Sequence, residues 1–361
     1  MNDGKGVSGK VRLYWQLSRA RAHEGHKSTL RQWAEMAALA VVTGNGPGFY
    51  QMAGFWRDSV SWREKCAHLN AKAYRRRVQA LNPSEYRKIT QNKLPEKGLL
   101  SLLGFPTPEF VGYLHPAMGR TATGAPLCDG KDLARMLRSI EADKLCFKPV
   151  EGWGGKGVEM IEVVRRNEPA EPAVRRLRTG QVVDATLFAS EMLARNAAAG
   201  MLVERYLDQH PAMAAFNPTS VNTCRVWVVR DADGKAKAVL AYLRIGRGGS
   251  IVDNQSSGGI VAPIDLETGV TGAAIDGLPT RAEYATHPDH DAPIAGRTIP
   301  HWSEVLATAA AALGAVPRLR FAGLDVAVGL SGPVILELNA SPDREGAAFA
   351  GIPSGDVLPT Q

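Results

Sequence analysis

Cysteine is scarce in this 361-residue chain: Cys66, Cys128, Cys146 and Cys224 are all there is. They are scattered, without metal-binding spacing or a paired framework. That excludes a disulfide scaffold and a cysteine zinc site, and fits a reducing cytoplasm. Cys146 and Cys224 lie in apolar, strand-like runs and read as packing residues, not nucleophiles. No apolar run approaches the length of a membrane span, and no signal peptide is visible. His210, His287, His290 and His301 stand apart near prolines and read as loop surface, so no Ser-His-Asp or Cys-His set emerges. Acidic residues are few at the start: residues 1–97 hold 18 Lys and Arg against 7 Asp and Glu, while the rest hold 25 against 29. The net charge of +7 therefore belongs to the N-terminal segment. Such a segment suits an acidic polymer or a peripheral contact with an anionic membrane, although a solvated basic helical surface is the plainer reading. No nucleic-acid module accompanies it, and no nucleic-acid partner is expected.

What is present begins with helix. From about Val11 to Ala80 the spacing is helical, and Leu30, Trp33, Ala34, Ala37, Ala38 and Val41 mark one apolar helix face. Trp15, Trp33, Trp56 and Trp62 read as residues that pack these helices together. A helix reaches Leu103, a strand covers 109–115, and a helix covers Asp129–Ile140. Next comes a strand ending in Lys148-Pro149, the glycine-rich run Gly152-Trp153-Gly154-Gly155-Lys156-Gly157, and a second strand. The run fits G-x-G-x-x-G, but a strand and not a helix follows it, which excludes a dinucleotide fingerprint. A hairpin rich in free backbone N–H groups suits phosphate, with Lys148 facing the same charge; a plain hairpin with glycines for turning is the alternative. Residues 165–185 read as a polar surface excursion. Strands follow near 201–207, 221–230, 236–245 and 260–264. Arg225 and Arg244 interrupt two of them, and a charge inside a sheet needs a partner. After Pro342 the chain reads as a mobile tail.

The most informative stretch is Phe321–Asn339, two apolar strands around a turn at Leu330-Ser331-Gly332. With Ser331 as its centre, Asp325 lies opposite Glu337 and Gly323 opposite Asn339. Alternation puts Asp325, Glu337 and Asn339 on one face, and Leu324, Val326, Val328, Val334, Leu336 and Leu338 on the core face. Two adjacent carboxylates in a buried setting repel unless a cation joins them, and a hard divalent ion such as Mg²⁺ takes oxygen ligands of this kind. An ordinary edge hairpin with an exposed polar face is the alternative.

The order of these motifs resembles the ATP-grasp superfamily, and most closely its sugar-transfer associated branch, near the α-L-glutamate-ligase-like proteins. The residues that carry the resemblance are Asn92-Lys93, Phe147-Lys148-Pro149 with the loop 152–157, Leu202-Val-Glu204-Arg-Tyr-Leu207, Ser220-Val-Asn-Thr-Cys-Arg225, Val252-Asp-Asn254 with Gly258-Gly259, Asp325, and Glu337-Leu-Asn339. The resemblance implies an α+β fold, two lobes clasping ATP, preceded by a helical, basic N-terminal region. It implies the divisions 1–84 (helical basic region), 85–144 (a partial α/β segment), 145–207 (small lobe), 208–345 (large lobe with the metal site) and 346–361 (tail).

By matching position, Lys93 and Lys148 would hold the α- and β-phosphates, and Gly152, Gly154, Gly155, Lys156 and Gly157 would close over them. Glu204, Arg205, Tyr206 and Leu207 would line the adenine. Asp325, Glu337 and Asn339 would bind Mg²⁺, with Mn²⁺ as a substitute. Arg225, Arg244 and Asn254 would face the γ-phosphate and the acyl group. The implied activity is that of a cytoplasmic ligase joining a carboxylate to an amine or thiol through an acyl phosphate, on small molecules linked to sugars or the cell envelope. Two alternatives share the site: a phosphotransferase, and a non-catalytic nucleotide-binding partner of a glycan assembly complex.

Overall fold

The structure is a computed structural model that describes residues 7–152, 154–165 and 172–360. Trp153, the middle of the glycine-rich run, and residues 166–171, part of the expected polar excursion, lie outside the described residues. Helices α1 (Val7–His23), α2 (Thr29–Thr43), α3 (Pro47–Met52), α4 (Trp62–Ala67) and α5 (Ala71–Leu81) come first, then α6 (Ser84–Arg87), a 3-10 turn at Lys88–Gln91, and α7 (Lys93–Leu102). A first group of strands and helices follows: β1 (Phe110–Leu114), β2 (Arg120–Thr121), α8 (Gly130–Ser139), β3 (Lys144–Pro149), β4 (Glu159–Val164), β5 (Ala173–Arg176), β6 (Val182–Asp184), α9 (Ala185–Asn196) and β7 (Met201–Arg205). A second comprises α10 (Pro211–Ala214), β8 (Thr223–Arg230), β9 (Ala236–Ile245), β10 (Ile260–Ile264), β11 (Ala274–Ile275), β12 (Glu283–Tyr284), α11 (Trp302–Ala315), β13 (Phe321–Gly329), β14 (Gly332–Asn339), α12 (Glu345–Phe349) and α13 (Ser354–Val357).

Among the described residues the strands form two seven-stranded antiparallel sheets, ordered β2-β1-β7-β3-β4-β5-β6 and β12-β11-β10-β9-β8-β13-β14. In the first, α8 and α9 bury Leu133, Leu137, Phe188 and Met192 against one face. In the second, alternation divides the strands between two cores. Cys224, Val226, Val228, Leu324, Val326 and Val328 pack beneath α11. Trp227, Val229, Leu240, Tyr242 and Phe321 point the other way, where the N-terminal helices cover them with Met36, Leu39, Tyr50, Phe55, Trp56 and Tyr74. Tyr74, Trp227 and Phe321 form an aromatic cluster at this joint, with Tyr74 tilted on Trp227 and Phe321 edge-on to it, centroids 6.0 and 5.1 Å apart.

Several expectations change here. The apolar stripe of α2 is not its core face: Leu30 and Val41 are exposed, while Gln32, Met36 and Leu39 are buried. The core on this side is filled by the longer side chains, and the buried Gln32 donates its Nε2 to Ser18 O and Lys27 O. Trp56 is buried, but Trp62 is exposed. Residues 342–360 are not a loose tail, since Ala347, Ala348, Phe349 and Leu358 complete the N-terminal core. Arg344 is held there by Asn45 Oδ1 and Leu69 O, and lies over the Phe49 ring. The excursion at 165–185 contributes β5 and β6, whose short runs carry little alternation. His287 is buried, with Nε2 against Gly246 O and its ring stacked on His290. Cys146 and Cys224 are buried, as their apolar runs predict, and burial pushes the Cys146 thiol up to about 11. No helix among the described residues is long and apolar enough to cross a membrane.

Candidate active site

The hairpin β13–β14 carries the pairs expected from its sequence, Asp325 opposite Glu337 and Gly323 opposite Asn339, by a different route. Its turn has two residues, Leu330 and Ser331, because Gly329 pairs with Gly332. That register alone would set Asp325 opposite Leu336. A bulge between Asp325 and Val326 inserts Leu336 as an extra residue and brings Glu337 into place. The bulge also corrects the expected core face: Ile335 is buried in the core, and Leu336 lines the cleft.

A cleft of about 1050 Å³ lies between the two sheets. From the first sheet and its loops come Lys148, Gly152, Gly154, Gly155, Lys156, Glu204, Arg205, Tyr206 and Leu207, with Lys93 from the start of α7. Arg225, Arg244, Asn254, Asp325, Glu337 and Asn339 come from the second. Gly157 stands just behind the wall: its φ is +75°, and a Cβ there would meet Pro149 Cγ at 2.9 Å. Gly155 has φ +67° and abuts Val252 and Asn254 so closely that a Cβ would meet Asn254 Nδ2 at 2.5 Å. The glycine-rich loop therefore rests on the 252–256 loop of the opposite sheet, which only a residue without a side chain permits.

At one end of the cleft, Glu204 sits on β7 between two lysines. Lys148 Nζ and Lys97 Nζ each lie 2.6 Å from one of its carboxylate oxygens. Burial alone would raise the pKa of Glu204, but the two ammonium groups hold it below the ordinary value. Burial likewise opposes the charge on Lys148, and Glu204 overrides it and raises that pKa. Lys93 Nζ donates to Gly152 O at 2.9 Å, and Lys93 N donates to Val150 O, which ties α7 to the glycine-rich hairpin.

At the other end, Asp325 is gripped by both arginines. Arg225 reaches it through Nε and through Nη2, the latter at 2.9 Å, and Arg244 Nη1 donates to Oδ2 at 2.7 Å. Arg244 Nη2 also donates to Asp253 Oδ1 at 2.8 Å and to Asn254, and Asp253 accepts from Thr223. Burial would raise the Asp325 pKa, but the two guanidinium groups pull it down to about 2. The partners that the sequence required for Arg225 and Arg244 are thus Asp325 and Asp253.

Glu337 has no hydrogen bond and no ion pair within 4 Å among the described residues, and Asn339 Oδ1 accepts only from Ser341 N. No three His, Cys, Asp or Glu side chains gather as a metal cluster among the described residues. A cation here would rest on Glu337, the amide oxygen of Asn339, the remaining lone pair of Asp325 Oδ1, and oxygens of the bound substrate. This all-oxygen set fits Mg²⁺.

Sequence reasoning missed Glu96 and Lys97. Both are buried, and they lie three and four residues beyond Lys93 on α7, so helical spacing from that lysine would have found them. Arg87, Thr223, Tyr242, Asp253 and Asp343 also line the cleft.

Residues 72–360 match the family described as sugar-transfer associated ATP-grasp. The chain belongs to this family. Its fold is accordingly the α+β ATP-grasp fold, preceded by a helical basic region. No curated protein matches the chain. Among solved structures it is similar to the ATP-grasp ligase PsnB in complex with a phosphomimetic variant of its minimal precursor, Mg and ADP, at 19% identity and a TM-score of 0.39, over 77% of this chain and 60% of that one. Biotin carboxylase of Campylobacter jejuni, as a β-γ-ATP complex, gives 15% identity and a TM-score of 0.42, over 75% and 44%. The ADP complex of N5-carboxyaminoimidazole ribonucleotide synthetase gives 13% and 0.38, over 73% and 52%. The chain spans 60% or less of the length of each of these three proteins.

Proposed function

We propose that this ATP-grasp chain is an ATP- and Mg²⁺-dependent ligase that joins a carboxylate to an amine through an acyl phosphate. One observation carries the reading: a single cleft sets Lys93, Lys148 and the glycine-rich loop on one wall, and the side-chain oxygens of Glu337 and Asn339 on the other. The first wall suits a polyphosphate, and the second suits the cation that accompanies it. When bound, Mg²⁺ supplies charge neutralisation at the phosphates.

In this reading Lys93 and Lys148 hold the phosphates, and residues 152–157 cover them and exclude water. Glu204 fixes Lys148 in place as a charged donor, while the backbone of 204–207 borders the adenine. A substrate carboxylate oxygen attacks the γ-phosphorus, the bond to the bridging oxygen breaks, and ADP departs. The amine nitrogen then attacks the acyl carbon, the C–O bond to phosphate breaks, and the amine loses its proton as phosphate leaves. Arg225, Arg244 and Asn254 form a fixed polar floor for the developing charge, which is how phosphoryl transfer is commonly accelerated without a protein nucleophile. The family description supports an acid or amine linked to a sugar, in polysaccharide or cell-envelope modification. The four free thiols support a reducing, cytoplasmic setting.

The test is ADP and phosphate release from Mg-ATP with pooled carboxylates and amines, recording product masses. ADP formation that needs both partners, with a product equal in mass to their condensation, is the expected result. A phosphorylated acceptor with no condensation product would replace the ligase reading by a phosphotransferase.

A further inference from the structure

The hairpin that carries Glu337 and Asn339 is open on one side. Strand β14 ends its sheet, so its outward N–H groups have no neighbouring strand. Two of them are nevertheless taken. Ile335 N donates to Pro106 O at 2.8 Å, and Leu338 N donates to Glu96 Oε1 at 2.6 Å. Leu338 stands between Glu337 and Asn339. The bond to Glu96 therefore holds the Glu337–Leu338 peptide, one of the two peptide units between the residues read above as cation ligands.

Glu96 is itself fixed from the other lobe. It sits in the first turn of α7, whose start is capped by Asn92, whose Lys93 N–H bonds Val150 O, and whose Lys97 bonds Glu204. A small cavity is bounded by Lys93, Glu96, Lys97, Lys148, Glu204 and Leu336, so the phosphate-side lysines and the back of β14 meet at this carboxylate. Glu96 is buried, and its Oε2 has no hydrogen-bond partner among the described residues. An unsatisfied buried carboxylate oxygen is costly, and a chain needing only to fill this space would be served better by an apolar side chain.

We infer that Glu96 is a positioning residue: through Leu338 N it registers the edge strand of Glu337 and Asn339 against the lysines of the opposite wall, and so sets the affinity for divalent cation and nucleotide together. This rests on the nucleotide and cation reading of the cleft. Groups that orient metal ligands typically change metal affinity by about 10–100-fold when removed.

The experiment is calorimetric titration of ADP into the full-length protein, with and without Mg²⁺, for the wild type, Glu96→Ala and Glu96→Gln. The expected result for Glu96→Ala is ADP binding weakened about 10-fold in saturating Mg²⁺, a higher half-saturating Mg²⁺ concentration, and metal-free ADP binding within about twofold of wild type. Glu96→Gln keeps an oxygen for Leu338 N, and restores Mg²⁺-dependent binding to within about threefold of wild type. If Glu96→Ala does not give a cooperative melt, Glu96→Met takes its place, filling the volume without an acceptor. Wild-type binding of Mg-ADP by the acceptor-free variant overturns the inference. So does an equal loss with and without Mg²⁺, or a Glu96→Gln variant as impaired as Glu96→Ala. A wild type that binds no ADP in either condition overturns the nucleotide site itself, and the role of Glu96 with it.

Discussion

Arg225 and Asp325 are direct partners across adjacent strands β8 and β13, and the guanidinium closes on both oxygens of the carboxylate. Both side chains are almost fully removed from solvent, as is Arg244, which shares the same carboxylate. Asp325→Ala would leave Arg225 buried without its acceptor and Arg244 with only Asp253 and Asn254. Breaking such a network typically costs about 3–5 kcal/mol. The expected outcome is a large fall in the urea midpoint of the apo protein. An unchanged midpoint would show that Asp325 has no structural role in the absence of ligand.

Glu337, across the hairpin, behaves in the opposite way. With no partner among the described residues to lose, Glu337→Gln leaves the melting temperature of the apo protein near that of wild type. If the proposed site is right, it lowers ATP turnover by ~100-fold or more, because a cation ligand is removed from a preorganised site. Parallel thermal melts and steady-state assays separate the two carboxylates, and normal turnover by this variant would sink the cation assignment.

Glu204→Gln tests the lysine pair. The substitution leaves Lys97 and Lys148 close together in a buried site with their shared counter-charge gone. The expected cost is about 3–5 kcal/mol in chemical denaturation. Recovery of stability in a Glu204→Gln, Lys97→Met double variant would identify like-charge burial as the cause.

His68 gives the N-terminal layer a pH dependence. Burial, helped by Arg344 and opposed by Glu64, lowers its pKa to about 4, and its Nδ1 is buried without a hydrogen-bond partner among the described residues. The unfolded chain takes up this proton near pH 6.5 and the folded chain near 4, so stability is full above about 6.5 and falls as the pH drops toward 4. Between pH 7 and 4.5 the wild type should lose about 2–3 kcal/mol more than His68→Gln in urea titrations. Equal losses would remove His68 as the source.

The family match begins at residue 72, but the hydrophobic core does not. Met36, Leu39, Tyr50, Phe55 and Trp56 cover Trp227, Leu240 and Phe321. A fragment starting at residue 72 should aggregate or melt well below the full chain, because its large sheet would present an uncovered apolar face. A monomeric fragment with an unchanged melt, followed by size exclusion and circular dichroism, would contradict this.

Much of the site was legible because its residues break a rule of their surroundings. Arginines inside apolar strands, carboxylates at alternate positions of a hairpin and a lysine before a glycine-rich turn each advertise themselves. What those charges bind in the folded chain was not legible. The pairing of Arg244 with Asp253 and Asp325 depends on a loop residue 9 positions away and a residue 81 positions away, two strands over in the sheet. Glu96 and Lys97 were hidden because charged residues in the first turns of a helix are ordinary. The face of α2 was misplaced because alanines satisfy a helical stripe whether or not anything covers them, and the buried Gln32 runs against the usual sign.

The bulge at Leu336 also constrains how this chain can vary over time. A one-residue slip reverses every side chain beyond it. Losing Leu336 alone avoids that reversal: it removes the bulge, keeps the turn, and lets Glu337 follow Ile335 directly, still opposite Asp325. Related sequences can therefore drop one residue at the bulge and keep the two carboxylates paired, whereas a change elsewhere between Asp325 and Glu337 alters which side chains face the core. In an alignment, a single gap in this hairpin belongs at Leu336, since a gap in either flanking strand pairs the wrong residues.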